Sequence, residues 1–194
     1  MKNIFLILFF PIFLLFSCAS SKTPSNRDFN SKLNDNSVIE FNEIWGYVFN
    51  GYEKEYSPTL PITDIGYFTK AITTFSEVPQ IPPKEKYFSN TKAKVHLVSS
   101  CDSRSQTHLL LSPNLPLRDK IIEDLISAAK SYDGLQIDWE LVSAQDADNY
   151  MEFLKILKSR LNGKTLSIAI PARIKTLSKD AYNYSNLAQL PTEL

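Results

Sequence analysis

Asp138 and Glu140 close the run Tyr132-Asp133-Gly134-Leu135-Gln136-Ile137-Asp138-Trp139-Glu140, in which acids alternate with apolar residues. In an extended strand successive side chains point to opposite faces, so Leu135, Ile137 and Trp139 share one face and Gln136, Asp138 and Glu140 the other. Carboxylates two residues apart lie about 7 Å from each other along such a strand. On a face shielded from water the two acids cannot both ionise cheaply, and one of them keeps a proton near neutral pH. A protonated carboxyl beside an ionised one is equipment for general acid–base catalysis.

The neighbouring elements decide where that polar face looks. Upstream, 116–132 carries Ile121, Ile122, Leu125, Ile126 and Ala129 at three-and-four spacing, which predicts an amphipathic helix ending just before Asp133-Gly134. Downstream, Ser143-x-x-Asp146 has the form of a capping box. Tyr150, Phe153, Leu154, Leu157 and Leu161 then form one stripe of a second helix, closed by Asn162-Gly163. Further strands are expected over 43–49, 62–68, 94–100 and 165–170, with only a vestigial helix after the first because the link bounded by Pro58 and Pro61 is short. The order strand, strand, strand, helix, strand, helix, strand predicts a parallel α/β sheet covered on both faces, with the polar face of 134–140 turned inward.

Asp133-Gly134-x-Gln136-x-Asp138-Trp139-Glu140 resembles the fourth-strand motif of family 18 glycoside hydrolases, the chitinases and related N-acetylglucosaminidases, in which D-G-x-D-x-D-x-E lies on a (β/α)8 barrel. Gln136 departs from that pattern. An amide is common there in the branch that includes bacterial spore-cortex and peptidoglycan N-acetylglucosaminidases. The resemblance spans roughly 44–173 and is strong from 132 to 172, through Asp148-Asn149-Tyr150 and Ile168-Ala169-Ile170-Pro171-Ala172. Ser99-Ser100-Cys101-Asp102 lacks the S-x-G-G that many members carry after the third strand, which leaves the sugar contacts of that turn open.

The resemblance implies hydrolysis of β-linked N-acetylglucosaminides with retention, the substrate's own acetamido oxygen attacking the anomeric carbon. Glu140 would protonate the leaving oxygen and then activate water, while Asp138 would orient the acetamido group. Gln136 would hold Asp138 through an amide hydrogen bond, and Asp133, at the strand entrance, would be a supporting residue. Tyr47 either touches the sugar or packs in the core. No metal and no organic cofactor is implied. A complete barrel takes about 250 residues, so 41–194 reads as the N-terminal part of an incomplete (β/α)8 barrel with about five strands. An inactive or sugar-binding envelope lipoprotein is the reading from another class. Glu140, which inactive relatives usually lose, stands against it.

Met1-Lys2-Asn3 followed by the apolar run 4–16 has the form of an export signal, too short to span a bilayer comfortably. Leu15-Phe16-Ser17-Cys18 resembles a bacterial lipobox with Cys18 as the acylated residue; plain secretion is the alternative. Residues 19–37 are polar and Pro-containing, too poor in apolar surface to offset their ordering entropy. The expected organisation is therefore a signal at 1–17, a tether at 18–40 and the barrel part at 41–194. Such a chain is lipid-anchored at a bacterial cell envelope and meets glycans containing N-acetylglucosamine, from the cell wall or chito-oligosaccharides. Zero formal net charge gives no basic excess for a nucleic acid. Acylation of Cys18 leaves Cys101 without a disulfide partner. His96 is expected in a strand and His108 in a loop, neither at metal-ligand spacing.

Overall fold

A computed structural model describes residues 41–190, apart from 173 and 176. The expected signal, the tether and Cys18 lie outside the described residues.

Five strands form one parallel sheet in the order β1 (Trp45–Phe49), β2 (Asp64–Phe68), β3 (Lys94–Ser100), β4 (Gly134–Asp138) and β5 (Thr165–Ile168). Among the described residues five α-helices accompany it: α1 (Glu85–Phe88), α2 (Arg104–Leu111), α3 (Leu117–Ala128), α4 (Ala147–Arg160) and α5 (Tyr184–Leu187). Consecutive parallel strands lying side by side, with crossover helices behind them, form an arc of a (β/α)8 barrel. That is the incomplete barrel expected from the sequence.

The outer face of the arc is the core. Ile65, Tyr67, Leu97, Leu135, Ile137 and Trp139 are wholly buried, as are Leu110, Ile121, Tyr150, Phe153 and Leu157 on the helices. Each such aliphatic or aromatic side chain contributes on the order of 1.5–3 kcal/mol by leaving water. The period-two pattern of β4 and the helical stripe of α4 are thus two halves of one interface. Helix α4 ends as its sequence requires, with Asn162 (φ 52°) and Gly163 (φ 80°) both left-handed, the region that Asn and Gly enter most readily.

The inner face is floored at its amino-terminal end. The His96 ring lies 4.5 Å from the Trp45 ring, and its Nε2 is 2.8 Å from Asp64 Oδ1. A Cβ at Gly134 would overlap His96 Nδ1, so the absence of a side chain there lets this floor close.

Several local expectations are corrected. Between β1 and β2 there is a 3-10 turn, Glu53–Glu55, in keeping with a vestigial helix. Helix α2 follows β3, where a turn was expected, and it carries His108, which is therefore a helical and not a loop residue. Its signal is local: the Ser103 side chain accepts from the Gln106 N–H at 3.3 Å, an N-cap in front of a stretch too short to show clear periodicity. Before α4, Ser143 makes no side-chain cap bond. A 3-10 turn, Ala144–Asp146, intervenes, and Asp146 pairs instead with His108 Nδ1 at 2.8 Å. The competing partner on a neighbouring helix removes the capping box.

Candidate active site

Trp139 sets the geometry of the acid pair. Its indole is wholly buried, stacks on Phe153 with 4.8 Å between ring centroids, and donates from Nε1 to Ser99 Oγ at 3.3 Å. With Trp139 pinned in the outer core, Asp138 before it, at the end of the strand, faces the other way. Asp138 is the last residue of β4, paired in register with Ser100 at the end of β3. Glu140 lies beyond the strand, exposed, in a turn. Both acids therefore sit at the carboxyl end of the arc, where barrels of this architecture assemble their sites.

Asp138 is half-buried, and its Oδ1 is buried with no hydrogen-bond partner among the described residues. Burial pushes its carboxyl above the usual range, and the charges of Glu140 and Asp102 add to the shift. The surroundings thus drive Asp138 toward the protonated form. Tyr150 stands on the helix behind, its hydroxyl buried without a partner among the described residues and pushed far up by burial, then by Tyr182 and Asp138.

The turn bearing Glu140 is held by side chains from elsewhere. The Tyr182 hydroxyl donates to the carbonyl of Trp139 and accepts from the N–H of Val142 at 2.9 Å. Thr107 Oγ1, on α2, lies 3.1 Å from the carbonyl of Leu141 and 2.9 Å from that of Arg104, so its single proton is divided between them.

The remaining expected site residues are dispersed. Gln136 is buried one inner layer below Asp138, but its Nε2 donates to Ser167 Oγ at 3.3 Å and not to Asp138, and its Oε1 has no partner among the described residues. Asp133 is at the far, amino-terminal end of β4. There it takes Lys84 Nζ at 2.7 and 2.8 Å and the Val95 N–H at 2.8 Å. Burial alone would raise its carboxyl; the bonds from Lys84 and Val95 hold it below the usual range. Tyr47 lies on β1, three strands from β4, with its ring over Gly66, where a Cβ would come within 2.5 Å of it, and 5.5 Å from the Phe68 ring. Cys101 is buried beside Gln106 Oε1 at 3.4 Å, and burial pushes its thiol up, which suits a packing residue better than a nucleophile.

Asp102, Ser167, Thr107 and Tyr182 belong to this region and were not singled out in the sequence. Asp102 alone had a readable signal, as an acid two residues past the end of a strand adjacent to β4.

Three comparisons bear on this geometry. The arc shares its fold with the spore cortex-lytic enzyme SleL of Bacillus cereus (18% identity, TM-score 0.64, 79% of this chain and 41% of that one). It also matches the SleL of Bacillus megaterium QM B1551 (16%, 0.60, 76% and 40%) and the chitinase-like agglutinin RobpsCRA of Robinia pseudoacacia (16%, 0.52, 65% and 46%). The chain spans less than half the length of these structures. In sequence it is 38% identical over 69 residues, 28% of this chain and 6% of the relative, to a Penicillium expansum protein named "Probable chitinase LysM11". The family model described as glycosyl hydrolases family 18 matches residues 43–190, across all five strands and the acid pair, and the chain belongs to that family.

Proposed function

We propose that this chain carries the acid pair of a glycosidase that cleaves β-linked N-acetylglucosaminides by substrate-assisted, retaining catalysis. The observation that carries the reading is Asp138 at the carboxyl end of β4: a half-buried carboxyl with one oxygen unpartnered among the described residues, two residues from an exposed Glu140. An acetamido N–H of the substrate would satisfy Asp138 Oδ1 and turn the acetamido oxygen toward the anomeric carbon. Glu140, free to reach a glycosidic oxygen, would protonate it as the bond breaks and then deprotonate the water that opens the cyclic intermediate. No metal or organic cofactor takes part in this scheme.

The export-type amino terminus and Cys18 support a lipid anchor for the proposed enzyme at a bacterial cell envelope. Its substrate is then the N-acetylglucosamine-containing glycan of the cell wall or its fragments. The test is incubation of the chain with peptidoglycan, a chito-oligosaccharide and an aryl N-acetylglucosaminide, following new reducing ends and the first-formed anomer by NMR. Release of the β-anomer supports the reading, and release of the α-anomer or of nothing overturns it. Binding of the oligosaccharide without release would favour the second reading, a sugar-binding protein. An aromatic cluster at the sheet's open end, with Phe49 stacked on Phe68 at 4.8 Å beside Tyr47, offers such a protein a stacking surface.

A further inference from the structure

Glu140 is exposed and lies outside the strand that precedes it, so β-sheet hydrogen bonding does not fix its position. What fixes the turn is a buried phenol from 42 residues further along the chain, Tyr182. Its hydroxyl bridges two main-chain groups, one on each side of Glu140: it gives its proton to the carbonyl of Trp139 and takes the N–H of Val142 at 2.9 Å. The ring is itself locked, edge-on to Tyr150 with centroids 5.8 Å apart. A buried carbonyl and N–H left without these bonds would each cost free energy unless the turn moved to find water. The turn thus has one low-energy shape while the hydroxyl is present, and others once it is gone.

We propose that Tyr182 is the positioning residue for Glu140: by clamping the peptide groups before and after it, the phenol holds the carboxyl where it can protonate a leaving oxygen. The proposal rests on the reading of Glu140 as general acid. A misplacement of about 1 Å in a catalytic group costs on the order of a hundredfold in rate. The cost falls on the step that needs the proton, which sets it apart from a plain loss of folded protein.

The test is Tyr182→Phe in the full chain, which removes one oxygen and keeps the ring. On a chito-oligosaccharide, whose leaving group needs protonation, kcat is expected to fall about 10- to 100-fold with KM little changed. On a dinitrophenyl N-acetylglucosaminide, whose leaving group does not, the rate of the first-turnover burst of dinitrophenol should fall no more than about threefold, because forming the intermediate then needs no proton from Glu140. A loss in the dinitrophenol burst rate equal to the loss on the oligosaccharide, or no loss on either, overturns the proposal. An arm independent of turnover is amide hydrogen exchange by NMR. The Val142 N–H should exchange at least about tenfold faster in Tyr182→Phe while amides of β3 and β4 keep their wild-type rates, since only the lost bond protects it. Unchanged exchange at Val142 overturns the proposal whether or not the wild type cleaves anything. A wild type inactive on both substrates, with faster exchange in the variant, overturns the glycosidase reading and leaves the clamp standing. Should Tyr182→Phe fail to fold, Thr107→Val frees the Leu141 carbonyl in the same turn, and the same split between substrates is expected; an equal loss on both again overturns the proposal.

Discussion

Gln136 gives its amide to Ser167 across the β4–β5 boundary, 3.3 Å away, and leaves Asp138 with an oxygen that has no partner among the described residues. The amide therefore ties strands together one layer below the acid pair.

Gln136→Asp, which restores the residue commoner in the family motif, should on this account be costly. It would bury a third carboxyl beneath an acid already pushed up by burial and by its neighbours. The new group's folded pKa would be raised, so its penalty is absent at low pH, where it is protonated in both states, and grows as pH rises from about 4 through the raised value. Thermal melts at pH 4 and pH 7 should show the variant closer to wild type in acid. A larger deficit at pH 4 would mean that the layer below Asp138 is wetter than its burial indicates.

Asp138→Asn follows the same sign. The folded chain holds the Asp138 proton more tightly than the unfolded chain does, so wild-type stability falls as pH rises from the ordinary carboxylate value, near 4, through the raised one. The neutral amide escapes that loss. Asp138→Asn should melt above wild type at pH 7 and with it below about pH 4, while losing turnover if Asp138 orients the acetamido group. A variant less stable at pH 7 would show that the carboxylate is solvated better than its surroundings suggest.

The β4 run was legible because one residue pattern served two purposes. The apolar alternation of Leu135, Ile137 and Trp139 specified the strand and its buried face, and Gln136 and Asp138 between them could then only face inward. The helix of residues 117–128 and α4 were legible for the same reason, since their stripes are long enough for the helical period to stand out. Helix α2 was not, because eight residues opened by Ser103 carry too few turns to reveal a period. The partner of Gln136 was not legible either. An amide can pair up, down or across a strand, and only the register of Gln136 with Ser167 selects the neighbour. Tyr182 lies farther still from what the sequence can say. Its hydroxyl meets main-chain groups of Trp139 and Val142, which leave no trace in side-chain identity.

At the other end of β4, Asp133 accepts two bonds from Lys84 and one from the Val95 N–H, far from the acid pair. Asp133→Asn should therefore act on stability, costing about 1–2 kcal/mol at pH 7 after allowing for partial exposure. Its folded pKa is depressed, so the carboxylate's contribution is present above about pH 4 and is lost as pH falls through the lower folded value. The gap between wild type and variant in chemical denaturation should narrow in acid. A gap constant with pH would assign the loss to packing and not to charge.

Cys18 bears on location alone. Leu15-Phe16-Ser17-Cys18 after a short apolar run predicts acylation, so cells fed a fatty-acid analogue should label the wild type and not Cys18→Ala. Equal labelling of the two would leave the chain without its proposed anchor.

Glu140→Gln tests the chemistry itself. The amide keeps the shape of the side chain and the turn held by Tyr182 and Thr107, but it cannot give up a proton to a leaving oxygen. Removing a general acid typically costs about 10²–10⁴ in rate, and the loss should depend on the leaving group. A natural glycan leaves as an alkoxide unless protonated, so its hydrolysis should fall by the full amount. A dinitrophenolate leaves without help, so formation of the intermediate should survive while its breakdown, which needs Glu140 as base, becomes slow. The expected result is a burst of dinitrophenol followed by a slow steady state, with oligosaccharide affinity retained. Asp138→Asn should show no such contrast, because it acts on the acetamido group that both substrates share. Wild-type turnover of a natural glycan by Glu140→Gln would mean that the proton comes from another residue, and the role given to the end of β4 would pass with it.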